Sequence, residues 1–380
     1  MPSQVERFFK SPSLMDIRIQ LDREHSAYTN EDVVSGHVIL NNDAQLDIAA
    51  ITIKLSGSAT SRLNSGKLTQ SHQLFGRIEQ VFPPDKCAAW FTSRTVTVPP
   101  GEHAFPFSIR FPQVSECYKA SPTDVPGKRP AGRRKHHLLR KLPPSSGSET
   151  TPEEIKYFLE ATVRQDGILC RTQKATHDIF FRHVSTISHL LPGLTGKETV
   201  ICSPSRSDSS LSPLTCEIQA KLLNGPFLLL GHPILLYVEI INLDLDECKG
   251  GVFLRNFQSM LIETTEVRAR RSMEVHTRSW VIQTMTRGQT EPVPMVGSTL
   301  SFDDRLWSQH CVPLHLTPTF ETCNISRSYK LEIRLGIEFG RNNLRIFDFQ
   351  FTAYILSPAS FPVGNLMPTS DEKELKPEKL

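Results

Sequence analysis

Residues 328–340 read SYKLEIRLGIEFG. Tyr329, Leu331, Ile333, Leu335, Ile337 and Phe339 are apolar, and Ser328, Lys330, Glu332, Arg334, Gly336 and Glu338 alternate with them. A period of two sends successive side chains to opposite faces of a β-strand, so this stretch buries one face and wets the other. At ~3.3 Å per residue it is about 40 Å long. That length suits an element that crosses a sandwich from edge to edge and supports binding loops.

The same period recurs along the chain. In the first half it runs through Ile17, Ile19 and Leu21, then Val34, Val38 and Leu40, then Ile51, Ile53 and Leu55. It continues through Phe105, Phe107, Ile109 and Phe111, through Ile155, Tyr157, Leu159, Ala161 and Val163, and through Ile179 and Phe181. In the second half it runs through Leu214, Cys216, Ile218, Ala220 and Leu222, and through Val312, Leu314 and Leu316. Phe347, Phe349, Phe351, Ala353 and Ile355 line one face after Arg341-Asn342-Asn343, which predicts a hairpin with the opening strand. The apolar stretch FLLLGHPILLYVEII, 227–241, carries Gly231-His232-Pro233 and is shorter than the ~20 residues of a membrane span. It reads as two buried strands about a turn.

No segment shows a helical stripe over three turns. The 27 prolines and 20 glycines favour turns, and the 38% hydrophobic content suffices for packed cores. At roughly 100–200 residues per domain, 380 residues make two. The expected fold is all-β: two antiparallel β-sandwiches joined by a hinge linker. The first sandwich is expected at 14–185 with a disordered basic insert at 119–152. The linker follows at 186–212, the second sandwich at 213–357 and a disordered tail at 358–380.

A net charge of +3 gives no argument for nucleic acid as a partner. The eight cysteines include no Cys-x-x-Cys pair, and MPSQVERFFKSP has no apolar run, so reduced thiols in the cytosol are expected. The sequon Asn324-Ile325-Ser326 is then expected to stay unmodified.

Four stretches together resemble the arrestin family, in particular its fungal arrestin-related branch. They are Ser35-Gly36-His37-Val38 with IAAITIKLSGSA (48–59), VTVPPGEHAFPFSIRFP (96–112), IKYFLEATVRQDG (155–167) and LTPTFETCNISRSYKLEIRLGI (316–337). They occur in the family's order, and the resemblance covers roughly residues 14–183 and 213–357. It implies two curved sandwiches without an active site. It also implies an adaptor that binds cytosolic parts of membrane receptors or transporters and couples them to endocytosis, ubiquitination or signalling. Such a protein is cytoplasmic and peripheral to the plasma membrane or endosomes. Many arrestin-related adaptors recruit HECT-type ubiquitin ligases through Pro-Pro-x-Tyr. Here Pro83-Pro84, Pro99-Pro100 and Pro143-Pro144 have no tyrosine at that position. Recruitment of such a ligase therefore needs another surface, or a second adaptor.

The strongest charge feature is the basic insert. Lys128, Arg129, Arg133, Arg134, Lys135, Arg140 and Lys141 lie there with Asp124 as the one acid within 119–148 before the Ser-rich end. Such a cluster attracts anionic lipid or acidic cargo, at roughly 1 kcal/mol per basic residue near a charged leaflet. A solvated insert without a partner and a nuclear-import signal are the competing readings. Ser205, Ser207, Ser209 and Ser210 in the linker are candidate phosphorylation sites that would bias the hinge, set against a plain flexible linker. The stretch RARRSMEVHTRSW, 268–280, is either a cationic cargo surface or a polar hairpin at a sheet edge.

No nucleophile elbow, phosphate-binding loop or His-Glu-x-x-His occurs in the sequence. His136-His137 and the Cys202 and Cys216 pair lack further ligands nearby, and Asp303-Asp304 lacks a partner base. No catalytic, cofactor or metal site is expected. Two other readings stand beside the adaptor. One is a structural endosomal sorting-coat subunit resembling the retromer's arrestin-fold component. The other is a β-sandwich hydrolase or carbohydrate-binding protein.

Overall fold

The structure is a computed structural model. It describes residues 15–24, 27–30, 32–84, 95–116, 140–165, 172–184, 193–202, 214–241, 251–286, 288, 291–340 and 343–358. Among them there is no α-helix, and nearly every apolar alternation of the sequence is a strand.

The first half contributes β1 (Met15–Leu21), β2 (Tyr28–Thr29), β3 (Val33–Asn42), β4 (Leu46–Leu63), β5 (Leu68–Phe82) and β6 (Val96–Val98). It continues with β7 (Gly101–Arg110), β8 (Ser146–Gly147), β9 (Glu153–Gln165), β10 (Thr172–Ile179) and β11 (Phe181–Arg182). One antiparallel sheet has the order β1-β3-β7, and it faces a second of order β10-β9-β4-β5. Between them Val34, Val38, Leu40, Ile51, Ile53, Leu55 and Leu159 form a dry core. Phe75, Phe111, Tyr157 and Phe181 close one end, with Phe111 and Phe181 centroids 4.6 Å apart. Tyr157 donates to the Pro143 carbonyl at 2.6 Å, which satisfies its buried hydroxyl. Gly57 leaves the space for this ring, because a Cβ there would lie 2.6 Å from the Tyr157 edge.

The second half contributes β12 (Leu194–Cys202), β13 (Leu214–Leu222), β14 (Phe227–Leu229), β15 (Leu236–Ile241), β16 (Val252–Ala269) and β17 (Ser272–Met285). It continues with β18 (Met295–Val296), β19 (Thr299–Ser301), β20 (Phe320–Glu321), β21 (Ile325–Phe339) and β22 (Asn343–Leu356). The sheets have the orders β12-β13-β15-β19-β18 and β14-β22-β21-β16-β17. The opening stretch is β21. All six of its apolar residues are buried, and it pairs with β22 in the expected hairpin from Tyr329↔Ala353 to Phe339↔Asn343. The strand lies in the middle of its sheet, between β22 and β16, so both of its edges are hydrogen-bonded.

Two of the expected boundaries are corrected. The stretch 186–212, expected to be linker, contains β12, which pairs with β13 from Leu194↔Leu222 to Cys202↔Leu214. The alternation is hidden there because the inward position is Gly196. A Cβ at that position would sit 3.1 Å from Phe349 and 3.3 Å from Phe351, so the aromatic rings fill the place of a side chain. The insert 119–152, expected to be disordered, is ordered over 140–152. Lys141 bridges Val114, Leu142 is buried in the first core and β8 pairs with β9. One leucine followed by Pro143-Pro144 anchors an extended segment without any periodicity for a sequence reading to detect.

Candidate functional site

The feature that distinguishes this arrangement is the seam between the sandwiches. Strands β16 and β21 are longer than the second core needs. Their ends carry Val267, Ala269 and Ile325 into the core of the first sandwich, together with Phe320 of β20. This burial is apolar, and a polar layer surrounds it.

Asn324, just before β21, fixes the register. Its amide donates to Ala59 O at 3.0 Å and Ser61 Oγ at 3.1 Å, and Ser61 in turn donates to Arg268 O at 2.6 Å. The side chain is 1% exposed, so the sequon match lies on an amide fully used inside the protein. At the tips, Asn64 N donates to Glu274 Oε1 at 2.8 Å, and Arg270 N donates to Gln70. The β4–β5 hairpin thus meets the β16–β17 hairpin.

Beside this layer lies a buried ionic cluster. Arg327 Nη2 is 2.5 Å from Glu153 Oε1, and its Nε is 3.1 Å from Thr265 Oγ1 and 3.5 Å from Glu263 Oε1. Trp280 Nε1 donates to Glu263 at 3.1 Å, and the Tyr329 hydroxyl lies 3.3 Å from Glu263 and 2.6 Å from Thr317 O. Burial first, and then the Glu263 carboxylate, push the Tyr329 phenol well above its ordinary range. One guanidinium serves two carboxylates, and the three charged side chains are at most 6% exposed. Buried ions of this kind are costly to desolvate, so their partners must all be present for the fold to tolerate them.

Two clefts flank the seam. One, about 300 Å³, lies over the ionic cluster and is lined by Glu153, Glu263, Thr265, His276 and Arg278 among others. The second, about 250 Å³, is lined by Lys141, Leu142, His183, Phe320, Leu356 and Ser357 among others. Arg140 crosses between the sandwiches beside it, 2.7 Å from Glu321.

The sequence singled out residues that the structure distributes unevenly. Lys128, Arg129, Arg133, Arg134 and Lys135 lie outside the described residues, as do Ser205, Ser207, Ser209 and Ser210. Arg140 is taken up in the interdomain ion pair, and Lys141 stands on the rim of the second cleft. The 268–280 stretch spans the β16–β17 turn and part of the sheet-edge strand β17. Asp303 accepts from Arg305 N at 2.9 Å in a short 3-10 turn. Glu153, Glu263 and Arg327 were missed. Their signal was parity: each falls on the buried phase of its strand, at the position where the alternation calls for an apolar residue.

Residues 17–180, nearly the whole first sandwich, match the family model described as arrestin (or S-antigen), N-terminal domain. The first sandwich is thus similar to an arrestin N-terminal domain. The chain is also similar to the arrestin-related trafficking adapter 10 of Lachancea thermotolerans, 25% identical over 184 residues. That match covers 40% of this chain and 42% of the adapter, so the chain spans less than half the length of this relative. Among the described residues, no helix is long and apolar enough to cross a membrane.

Proposed function

We propose that this protein is a non-enzymatic, arrestin-like adaptor that binds cytosolic parts of membrane receptors or transporters and couples them to endocytosis or ubiquitination. The observation that carries the reading is the match of 17–180 to the arrestin N-terminal domain, and the similarity to a relative named as a trafficking adapter supports it. The geometry agrees with a binding role. β5 and β17 are sheet-edge strands whose outer backbone groups suit addition of an extended peptide. On β17, Met273, Val275 and Val281 all point outward on one face at more than half exposure. A ubiquitin ligase of the HECT type is a proposed partner through a surface other than Pro-Pro-x-Tyr, which these 380 residues lack. The basic residues 128–135 are proposed to meet anionic lipid or acidic cargo, and the linker serines to be phosphorylated. The expected site of action is the cytoplasmic face of the plasma membrane or endosomes.

Removing the gene and following surface levels of the cell's transporters and receptors tests the reading. Slower clearance of at least one of them from the surface is the expected result. Unchanged clearance of the whole set would contradict it.

A further inference from the structure

The second cleft has features that the packing of the two sandwiches does not account for. Ser357 follows β22 and is 1% exposed, yet its hydroxyl has no hydrogen-bond partner among the described residues. His183 follows β11, and its Nδ1 is likewise buried without a partner. Both side chains line the cleft of about 250 Å³. Two unpaired polar atoms beside one cavity are rare in folded proteins, where nearly all such groups find partners. Each costs about 1–3 kcal/mol if nothing pairs with it.

Charge at this place is also unpaired. Arg140 is occupied by Glu321, whereas Lys141, exposed at the rim, has no ion pair among the described residues. Its ammonium lies near enough to His183 to add to the effect of burial, and together they lower the imidazole pKa to about 4. The imidazole is therefore neutral at pH 7 and offers one N–H and one lone pair. Leu142, Phe320 and Leu356 give the rest of the wall an apolar part, beside Thr319 and Glu321, whose carboxylate is held by Arg140.

We infer that this cleft binds a single carboxylate carried on a short apolar stem. Lys141 supplies the charge, Ser357 Oγ–H and the His183 Nδ1–H tautomer donate to the carboxylate oxygens, and Phe320 and Leu356 hold the stem. The volume is at the small end of ligand sites, which commonly run to ~300–1,000 Å³, so a small acid or one terminal residue fits and a larger molecule does not. The chemistry has two sources: a free short-chain acid, or the C-terminal residue of a peptide. Either would touch both sandwiches at once, because His183 belongs to the first and Ser357 to the second. It would also press on Phe320, whose ring lies 5.7 Å from the Arg327 guanidinium. The inference is independent of the adaptor reading.

The test is calorimetric titration of the full chain at pH 7 with hexanoate, N-acetyl-leucine and hexanol, on the parent and on Lys141→Gln and Ser357→Ala. The expected result is binding of the two acids with hexanol at least about tenfold weaker, since the charge-assisted bonds are missing. Both variants should lose about tenfold in acid affinity. Lys141 is exposed, so its variant folds as the parent does, and circular dichroism verifies this for both. Tighter binding of N-acetyl-leucine would assign the site to peptide termini, and tighter binding of hexanoate to free acids. Failure of both acids to bind, equal binding of hexanol, or full affinity in Lys141→Gln would overturn the inference.

Discussion

Arg327 of β21 and Glu153 of β9 meet at 2.5 Å in the buried seam, one from each sandwich. Neither has water to fall back on, and Glu263 adds a second carboxylate to the same guanidinium at 3.5 Å. The arrangement makes the two sandwiches dependent on each other, because the ions of one are neutralised by those of the other.

Removing the cation should therefore be severe. Arg327→Ala leaves Glu153 and Glu263 uncompensated and is expected to cost about 3–5 kcal/mol, read from urea unfolding. Replacing Glu153 by Gln leaves Glu263 on Arg327 and should cost clearly less. Equal losses in the two variants would mean that the cluster does not work as described.

Asn324→Ala removes the amide that joins Ala59 and Ser61 to the start of β21. Losing these two buried hydrogen bonds in the seam is expected to cost about 1–3 kcal/mol. The variant's unfolding midpoint in urea decides it, and a change below about 0.5 kcal/mol would place the register elsewhere.

The register of β21 has its own test. Leu335 is fully buried, and Leu335→Asp puts an unpaired charge in the core, so the second sandwich should unfold. Glu332 stands on the opposite face, where Gln350 donates to it at 3.0 Å. Glu332→Lys should change stability by no more than about 0.5–1 kcal/mol. Near-ultraviolet circular dichroism of the two variants separates these outcomes.

How much of this was legible in the sequence depends on what each strand buries. β21 and β9 announce themselves, since each has an unbroken apolar phase of several residues. β12 does not, because Gly196 stands where the aromatic rings of β22 need room. Arg327 was legible in principle: counting back by two from Tyr329 places it on the buried face. A lone charge at the end of an alternation, however, looks like the end of the strand. No count within one strand shows that Glu153, 174 residues away in sequence, meets it. Partners across a seam are fixed by the fold, whereas phase is fixed locally.

His183 should make stability depend on pH. Burial, and then Lys141, lower its pKa from 6.5 to about 4, with Arg140 and Glu321 the other charged groups lining the cleft. The unfolded chain binds a proton below pH 6.5 while the folded chain resists it, so this contribution is present above pH 6.5 and is lost as pH falls towards 4. His183→Gln should flatten the change in melting temperature across that window. The same slope in parent and variant would assign the acid sensitivity to other groups.

The basic segment makes a prediction of its own. Changing Arg133, Arg134 and Lys135 together to Glu should weaken binding to vesicles containing phosphatidylserine and reduce its dependence on salt. A flotation assay at two salt concentrations measures both. No vesicle binding by the parent, or unchanged binding in the variant, would end the membrane role of the segment.

The adaptor reading meets its most direct test in cross-linked affinity purification of the chain from its native cell, with mass spectrometry of what comes with it. The account predicts membrane transporters or receptors together with a ubiquitin ligase or endocytic proteins. Recovery of a fixed set of sorting-coat subunits in constant proportion, without such cargo, would contradict it.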